Sequence, residues 1–289
     1  MAVSLLYAVL ILGGLGFLLS AGLAVASKKF AVTIDPKIEQ VLGVLPGANC
    51  GGCGYPGCSG FAEAVVGGKV LVTACKPGGP EVAGKIARIL GVEAVDVEPQ
   101  VASVHCQGGR KEALEKCLYE GLESCAAAEL IAHGSKACPY GCLGLGDCVR
   151  ACPYGALVMG ESGLPFVLED VCTACGLCVE ACPRGIMQLI PRRARVYLGC
   201  VSQDRAKAVK SVCTVGCIGC KVCATPKVTP SGAITMDGNL PVINYAIEDD
   251  LSGAVAKCPT RSYVERWTSA GAGTSADSRE AQCPEPISS

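Results

Sequence analysis

Between residues 172 and 183 the chain reads Cys172-Thr-Ala-Cys175-Gly-Leu-Cys178-Val-Glu-Ala-Cys182-Pro183. No other feature constrains the fold as much, because C-x2-C-x2-C-x3-C-P is the spacing of a loop that wraps an iron–sulfur cubane. Three closely spaced thiols reach three irons of one cluster. The fourth opens a helix that points away, so it ligates a second cluster. The remaining ligands are expected upstream, in Cys138-x3-Cys142-x5-Cys148-x3-Cys152-Pro153. Pseudo-twofold logic predicts one [4Fe–4S] set on Cys138, Cys142, Cys148 and Cys182, and another on Cys172, Cys175, Cys178 and Cys152. The upstream run departs from the standard spacing at Cys138. Zinc usually sits on paired C-x2-C knuckles, which eight interleaved cysteines with a proline after each run do not suit.

Two further sets follow the same chemistry. Cys50-x2-Cys53-x4-Cys58-x16-Cys75 lies in a glycine-rich stretch whose backbone can approach a cluster and give N–H groups to its sulfurs. Four cysteines with one C-x2-C knuckle also suit zinc there. Cys217-x2-Cys220-x2-Cys223, with Cys258-Pro259 downstream, starts like a two-cluster run but does not finish it. Lys227 stands where the fourth cysteine belongs, and residues 246–254 hold none. One cluster is therefore expected on Cys217, Cys220, Cys223 and Cys258, with Cys213 competing with Cys220. The total is about four clusters. Of the other cysteines, Cys106, Cys117, Cys125 and Cys200 read as buried thiols, or as a further cluster or redox pair formed by Cys106, Cys125, Cys200 and Cys213. Cys283 reads as a bystander.

Twenty-two cysteines in 289 residues also fit a disulfide framework, and the N-terminus argues against that. Residues 3–26 are apolar apart from Ser4, Tyr7 and Ser20, and Lys28 and Lys29 follow. The run is long enough to cross a bilayer as a helix. A cleaved signal peptide, processed at Ala24-Val25-Ala26, lacks its positive n-region here. The lysines after the run predict a single-pass anchor in the cytoplasmic membrane with the rest of the chain on the cytoplasmic side. Thiols stay reduced there, which favours metal sites. Aromatic residues are only 4% of the chain, so small units have few large side chains to bury and need staples. A net charge of −1 argues against nucleic-acid binding. Two histidines, His105 and His133, are too few for an obvious catalytic constellation, and no strand-embedded nucleotide motif is present. No catalytic residue is expected.

The fold class expected is an N-terminal transmembrane helix, a small mainly α iron–sulfur domain, then α+β ferredoxin-like modules, one complete with two clusters and one degenerate with one. The units expected are the anchor at 1–29, the small domain at 30–95, the complete module at 96–198, the degenerate module at 199–266 and a disordered tail at 267–289. In the small domain, helices are expected at 35–44, 59–66 and 80–90, the first opened by Asp35-Pro36 and the last closed by Gly91. The two modules echo each other. A valine-rich strand ending in a cysteine occurs at 101–106 and at 195–200. Each is followed by a helix and a cysteine four residues before a Gly-Cys cysteine, at Cys138 and Cys213.

Three stretches together resemble the B subunit of the Rnf complex: the N-terminal anchor, the loop from Asn49 to Cys58 closed by Cys75-Lys-Pro-Gly-Gly79, and Lys136-x-Cys138-x2-Gly-Cys142-Leu-Gly-Leu-Gly-Asp147-Cys148. The resemblance covers roughly residues 1–265. It implies an electron-input or relay subunit of a membrane ferredoxin:NAD oxidoreductase that couples electron transfer to Na⁺ or H⁺ translocation. Its implied partners are flavin-bearing and integral-membrane subunits, with soluble ferredoxin as donor. The basic stretch Arg192, Arg193, Arg195, Arg205, Lys207 and Lys210 is a solvated face or a docking surface for that donor. The rival readings are a membrane-tethered polyferredoxin subunit of a hydrogenase or dehydrogenase, and a cluster-based redox sensor.

Overall fold

A computed structural model describes residues 2–29, 35–93 and 98–266. The expected tail, with Cys283, lies outside the described residues.

Helix α1 (Ala2–Lys29) is 28 residues long, or about 42 Å at 1.5 Å per residue. From Leu10 to Lys29 it is long and apolar enough to cross a membrane. Ile11, Leu15, Phe17, Leu18 and Leu23 are all exposed on it. A helix apolar on every side finds no solvent partner in water and suits hydrocarbon.

Three short helices make the next unit. In α2 (Pro36–Val44), Asp35 caps the first turn by accepting the Lys37 N–H at 2.8 Å, and proline occupies the first helical position. Helix α3 (Gly57–Val66) follows the cysteine loop, and a 3₁₀ turn (Val72–Ala74) delivers Cys75. Helix α4 (Gly79–Leu90) ends at Gly91, whose φ of 73° is left-handed. The three helices close on Val41, Phe61, Val65 and Ile86, with Cys53, Cys58 and Cys75 packed against that core.

From residue 100 the chain builds one plan twice. Strand β1 (Gln100–Val104) leads to α5 (Cys125–Leu130) and α6 (Asp147–Arg150). A hairpin of β2 (Leu157–Met159) and β3 (Pro165–Val167) follows, then α7 (Leu177–Glu180) and β4 (Met187–Pro191). Strand β4 returns antiparallel to β1, pairing Val101 with Ile190 and Val104 with Met187. The second pass runs β5 (Val196–Leu198), α8 (Ala206–Val212), a 3₁₀ turn (Val222–Ala224), the hairpin of β6 (Ile234–Asp237) and β7 (Leu240–Ile243), α9 (Ser252–Lys257) and β8 (Tyr263–Glu265). Again the outer strands pair, Leu198 with Tyr263, and the inner ones form a hairpin.

Two arginines buried in their stems hold these passes together. Arg184 pairs with Glu129 and donates to the carbonyls of His133, Cys138 and Gly141. Arg266 pairs with Glu169 and donates to the Ala194 carbonyl at 2.6 Å. Each guanidinium has enough donors to meet a carboxylate and several carbonyls at once. The expected basic stretch divides accordingly. Arg192 is spent on the carbonyls of Glu169 and Cys172, and Arg193 on Glu98 and the Tyr245 carbonyl. Arg195, Arg205, Lys207 and Lys210 are exposed.

Candidate metal centres

The described thiols gather into groups. In the α2–α4 unit, burial and then the nearness of Cys53, Cys58 and Cys50 raise the Cys75 thiol pKa, so these four face one another. Asn49 shapes the loop that presents them. Its side-chain oxygen accepts the Cys58 N–H at 2.8 Å, and a Cβ on Gly57 (φ +87°) would sit 2.8 Å from that oxygen. Only glycine fits there.

Cys152, Cys172, Cys175 and Cys178 line a second cavity, closed by Tyr154 and Leu189. Cys152 opens the turn after α6, and its sulfur accepts the Ala156 N–H at 3.3 Å. Cys217, Cys220, Cys223 and Cys258 line another, with Tyr263 beside them. The Cys258 sulfur accepts the Ser262 N–H at 3.3 Å. Cys213 is not in that cavity, so the expected competition with Cys220 does not arise.

The remaining expected set is arranged differently in the structure. Cys142, Cys148 and Cys182 line one cavity, but the fourth thiol in it is Cys125, not Cys138. Asp147 is the cause. It opens α6 beside Cys148, and its Oδ2 caps the start of α5, accepting the Ala126 N–H at 3.0 Å and the Ser124 hydroxyl at 3.1 Å. That tie sets the start of α5, and Cys125 with it, over the Cys148 turn. Cys138 is drawn the other way. Residues 113–116 bridge to the segment before it, Ala137 N–H donating to Leu114 and Lys116 N–H to Ser135. Cys138 thereby lines a separate cavity with Cys106, Cys200 and Cys213. The further group expected from sequence thus contains Cys138 in place of Cys125. Cys117 is exposed and joins no group.

These cavities are poor places for thiolates on their own. Burial first, and neighbouring thiols second, push Cys142, Cys148, Cys178 and Cys217 up to about 12. A bound metal core reverses that balance, because a coordinating thiol is deprotonated outright. Among the described residues, no group of three or more His, Cys, Asp or Glu is set to hold a single ion. Around one zinc, tetrahedral sulfurs would lie within about 4 Å of each other. Among the described residues, three buried hydroxyls lack a formed hydrogen bond: Tyr154, Thr173 and Tyr263. Each faces a cysteine of a thiol set, Tyr154 toward Cys50, Thr173 toward Cys175 and Tyr263 toward Cys223. Donors placed this way fit sulfur-rich acceptors, and the residues present fit iron–sulfur clusters. Spacing rules gave no warning of these hydroxyls, because Tyr154 and Tyr263 come from positions outside the cysteine runs and Thr173, inside one, is a spacer between ligand positions.

The sets also abut. A Cβ on Gly52 would meet the Cys175 carbonyl at 2.8 Å, and Tyr154 lies between Cys50 and Cys175. Cys178 lies near enough to Cys148 to raise its pKa. Thiol-lined cavities in contact, within small α+β units, fit an iron–sulfur electron-transfer protein.

Comparison with known proteins agrees. Residues 45–77 match the family model of an Fe-S cluster domain, and residues 137–187 that of a 4Fe-4S dicluster domain. The B subunit of the ion-translocating oxidoreductase complex of Methanosarcina acetivorans is 43% identical, over 91% of this chain and 98% of its own length. The B subunit of the Na⁺-translocating ferredoxin:NAD⁺ oxidoreductase complex of Acetobacterium woodii is 43% identical, over 86% of this chain and 74% of its own. The proton-translocating counterpart of Clostridium ljungdahlii is 41% identical, over 85% and 87%. The chain belongs to the B-subunit family of the Rnf ion-translocating oxidoreductase complex, an electron-transfer subunit.

Proposed function

We propose that this chain is the ferredoxin-side relay of a membrane complex that passes electrons from reduced ferredoxin to NAD and couples their flow to Na⁺ or H⁺ translocation. The observation that carries this reading is the contact between successive thiol sets, from Cys50, Cys53, Cys58 and Cys75, through Cys152, Cys172, Cys175 and Cys178, to Cys125, Cys142, Cys148 and Cys182. The set of Cys217, Cys220, Cys223 and Cys258 stands in the second pass. A [4Fe–4S] cluster on each set supplies one-electron storage when bound. The chain's own part is to hold the thiolates, to exclude water by burial and to aim N–H and O–H donors at sulfur. Both tune the reduction potential.

Helix α1 anchors the chain, with Lys28 and Lys29 on the cytoplasmic side. Flavin-bearing and integral-membrane subunits are the partners at the membrane. Cys220 is exposed, unlike the other cysteines of the four sets, and Arg205, Lys207 and Lys210 are exposed in the same pass. An acidic ferredoxin is steered to such a face. Lys207→Glu with Lys210→Glu is expected to slow ferredoxin-dependent reduction about tenfold at low salt, and much less at high salt. An equal rate at low salt removes this docking face. The relay itself is tested by anaerobic purification with iron, sulfide and EPR analysis. Fewer than three [4Fe–4S] clusters per fully loaded chain sinks it.

A further inference from the structure

We propose that Cys106, Cys138, Cys200 and Cys213 hold a further [4Fe–4S] cluster, which joins the two passes of the fold. The choice of occupant rests on the relay reading above.

The four thiols come from four separate segments, yet they line one cavity. Cys106 follows β1 and Cys200 follows β5. Cys138 and Cys213 each stand four residues before a Gly-Cys cysteine. Each pass thus contributes its strand-end cysteine and its pre-loop cysteine, and the site lies where the internal echo meets itself. Hydrogen bonds between the passes frame it. Gln107 N–H donates to the Gly199 carbonyl at 3.1 Å, Leu114 N–H to Val212 at 2.9 Å, and Ala113 bridges to Cys213. Gly108 lies against two of the sulfurs, since a Cβ there would be 3.3 Å from Cys213 Sγ and 3.7 Å from Cys106 Sγ.

Size and donors match the neighbouring cavities. Free space, counting the open mouths, is about 430 Å³ here, against about 400, 350 and 330 Å³ in the three cavities assigned to clusters above. Backbone N–H groups aim at sulfur as they do elsewhere, Cys142 N–H to Cys106 Sγ at 3.4 Å and Ser202 N–H to Cys200 Sγ at 3.5 Å. The donor set is thiolate only, because the His105 ring bonds the Ser103 hydroxyl at 2.9 Å. No C-x2-C knuckle of the zinc type contributes.

Lys136 is a second, independent sign. It is 4% exposed, and its ammonium donates to the carbonyl of Gly108, in the cavity wall. Among the described residues no carboxylate pairs with it. A buried ammonium needs nearby negative charge. Four thiolates on a cubane core leave a net anion, and Lys136 stands between this cavity, through Gly108, and Cys142 of the adjoining set, whose pKa its charge pulls down.

The position has a consequence for the relay. Cys142, of the first pass, donates its N–H to Cys106, and the Cys217 backbone N–H, of the second, faces Cys200. The added site is therefore the bridge between the second-pass cluster and the others.

The test uses the full chain, purified anaerobically and fully loaded with iron and sulfide. About 20 irons per chain are expected, four for each of five clusters, and about 16 in Cys106→Ala with Cys213→Ala, with one fewer EPR-active centre. A wild-type count of about 16 that the double variant does not lower overturns the added site and leaves the relay standing. So does about 16 irons with one zinc. A count below about 12 in both removes the relay reading itself. The wild-type count decides the matter even where the variant does not fold. An iodoacetamide test under native conditions adds to it: Cys117 labels, while Cys106, Cys138, Cys200 and Cys213 resist until iron is removed. Labelling of these four before iron removal overturns the site.

Discussion

The two passes of the fold share a strand plan and differ in what fills them. In the first, from residue 98 to 198, α7 presents Cys178 to a cavity that also holds Cys152, Cys172 and Cys175. In the second, the equivalent helix α9 presents Ala254, 0% exposed, to a core of Leu251, Ala233 and Ile234 with Val228 and Val255 against it. Apolar side chains have taken the place of one thiol set. The left-handed residue before the helix is kept, but Gly176 (φ 89°) is replaced by Leu251 (φ 54°), which now buries a side chain where glycine gave none. The lesson is that the outer strand pair and inner hairpin do not depend on a particular filling. Either a metal-bound thiol set or a packed apolar cluster closes the space.

Removing the metal should break this comparison most strongly. Anaerobic chelation of iron is expected to lower amide-exchange protection in β1–β4 at least about tenfold more than in β6 and β7, a difference of ~1.4 kcal/mol or more in opening free energy. Equal loss in both passes would show that the apolar core of the second does not substitute for a cluster.

Next in size is Arg184→Met. It leaves Glu129 without its buried partner and frees the carbonyls of Cys138 and Gly141. Loss of about 3–5 kcal/mol in denaturant unfolding of the loaded protein is expected, with the first pass more affected. Leu251→Ala should act on the other pass. Leu251 is 5% exposed, and deleting its buried methyl groups should cost ~2–4 kcal/mol without loss of iron. Iron loss in that variant would mean that the apolar core holds the Cys217–Cys258 set in shape, a closer coupling than the comparison implies.

The smallest effect expected is electronic. Tyr263→Phe removes the buried hydroxyl facing Cys223. One neutral hydrogen bond of ~0.5–1.5 kcal/mol corresponds to roughly 20–60 mV for a one-electron couple. The potential of the second-pass cluster should fall by that amount in a redox titration followed by EPR. An unchanged potential removes the hydroxyl from the set of donors that tune it.

Much of this molecule is written locally in its sequence. Cys50, Cys53 and Cys58, Cys172, Cys175 and Cys178, and Cys217, Cys220 and Cys223 each lie within nine residues of chain. A short loop limits where such thiols can go, so spacing alone predicts that they face one another, and in the structure the second and third trios each line one cavity. The apolar N-terminal helix and the two-pass echo were legible for the same reason, since both are patterns along the chain. What spacing could not decide was the membership of thiols that arrive from afar. Cys125 and Cys138 lie 13 positions apart, and either was free to complete the set of Cys142, Cys148 and Cys182. The choice was made by the Asp147 cap that draws α5 over Cys148 and by the bridge from residues 113–116 that pulls Cys138 toward Cys213. Those are contacts between distant segments, with no trace in residue spacing. Sequence determined which thiols travel together, while tertiary structure decided which travellers meet.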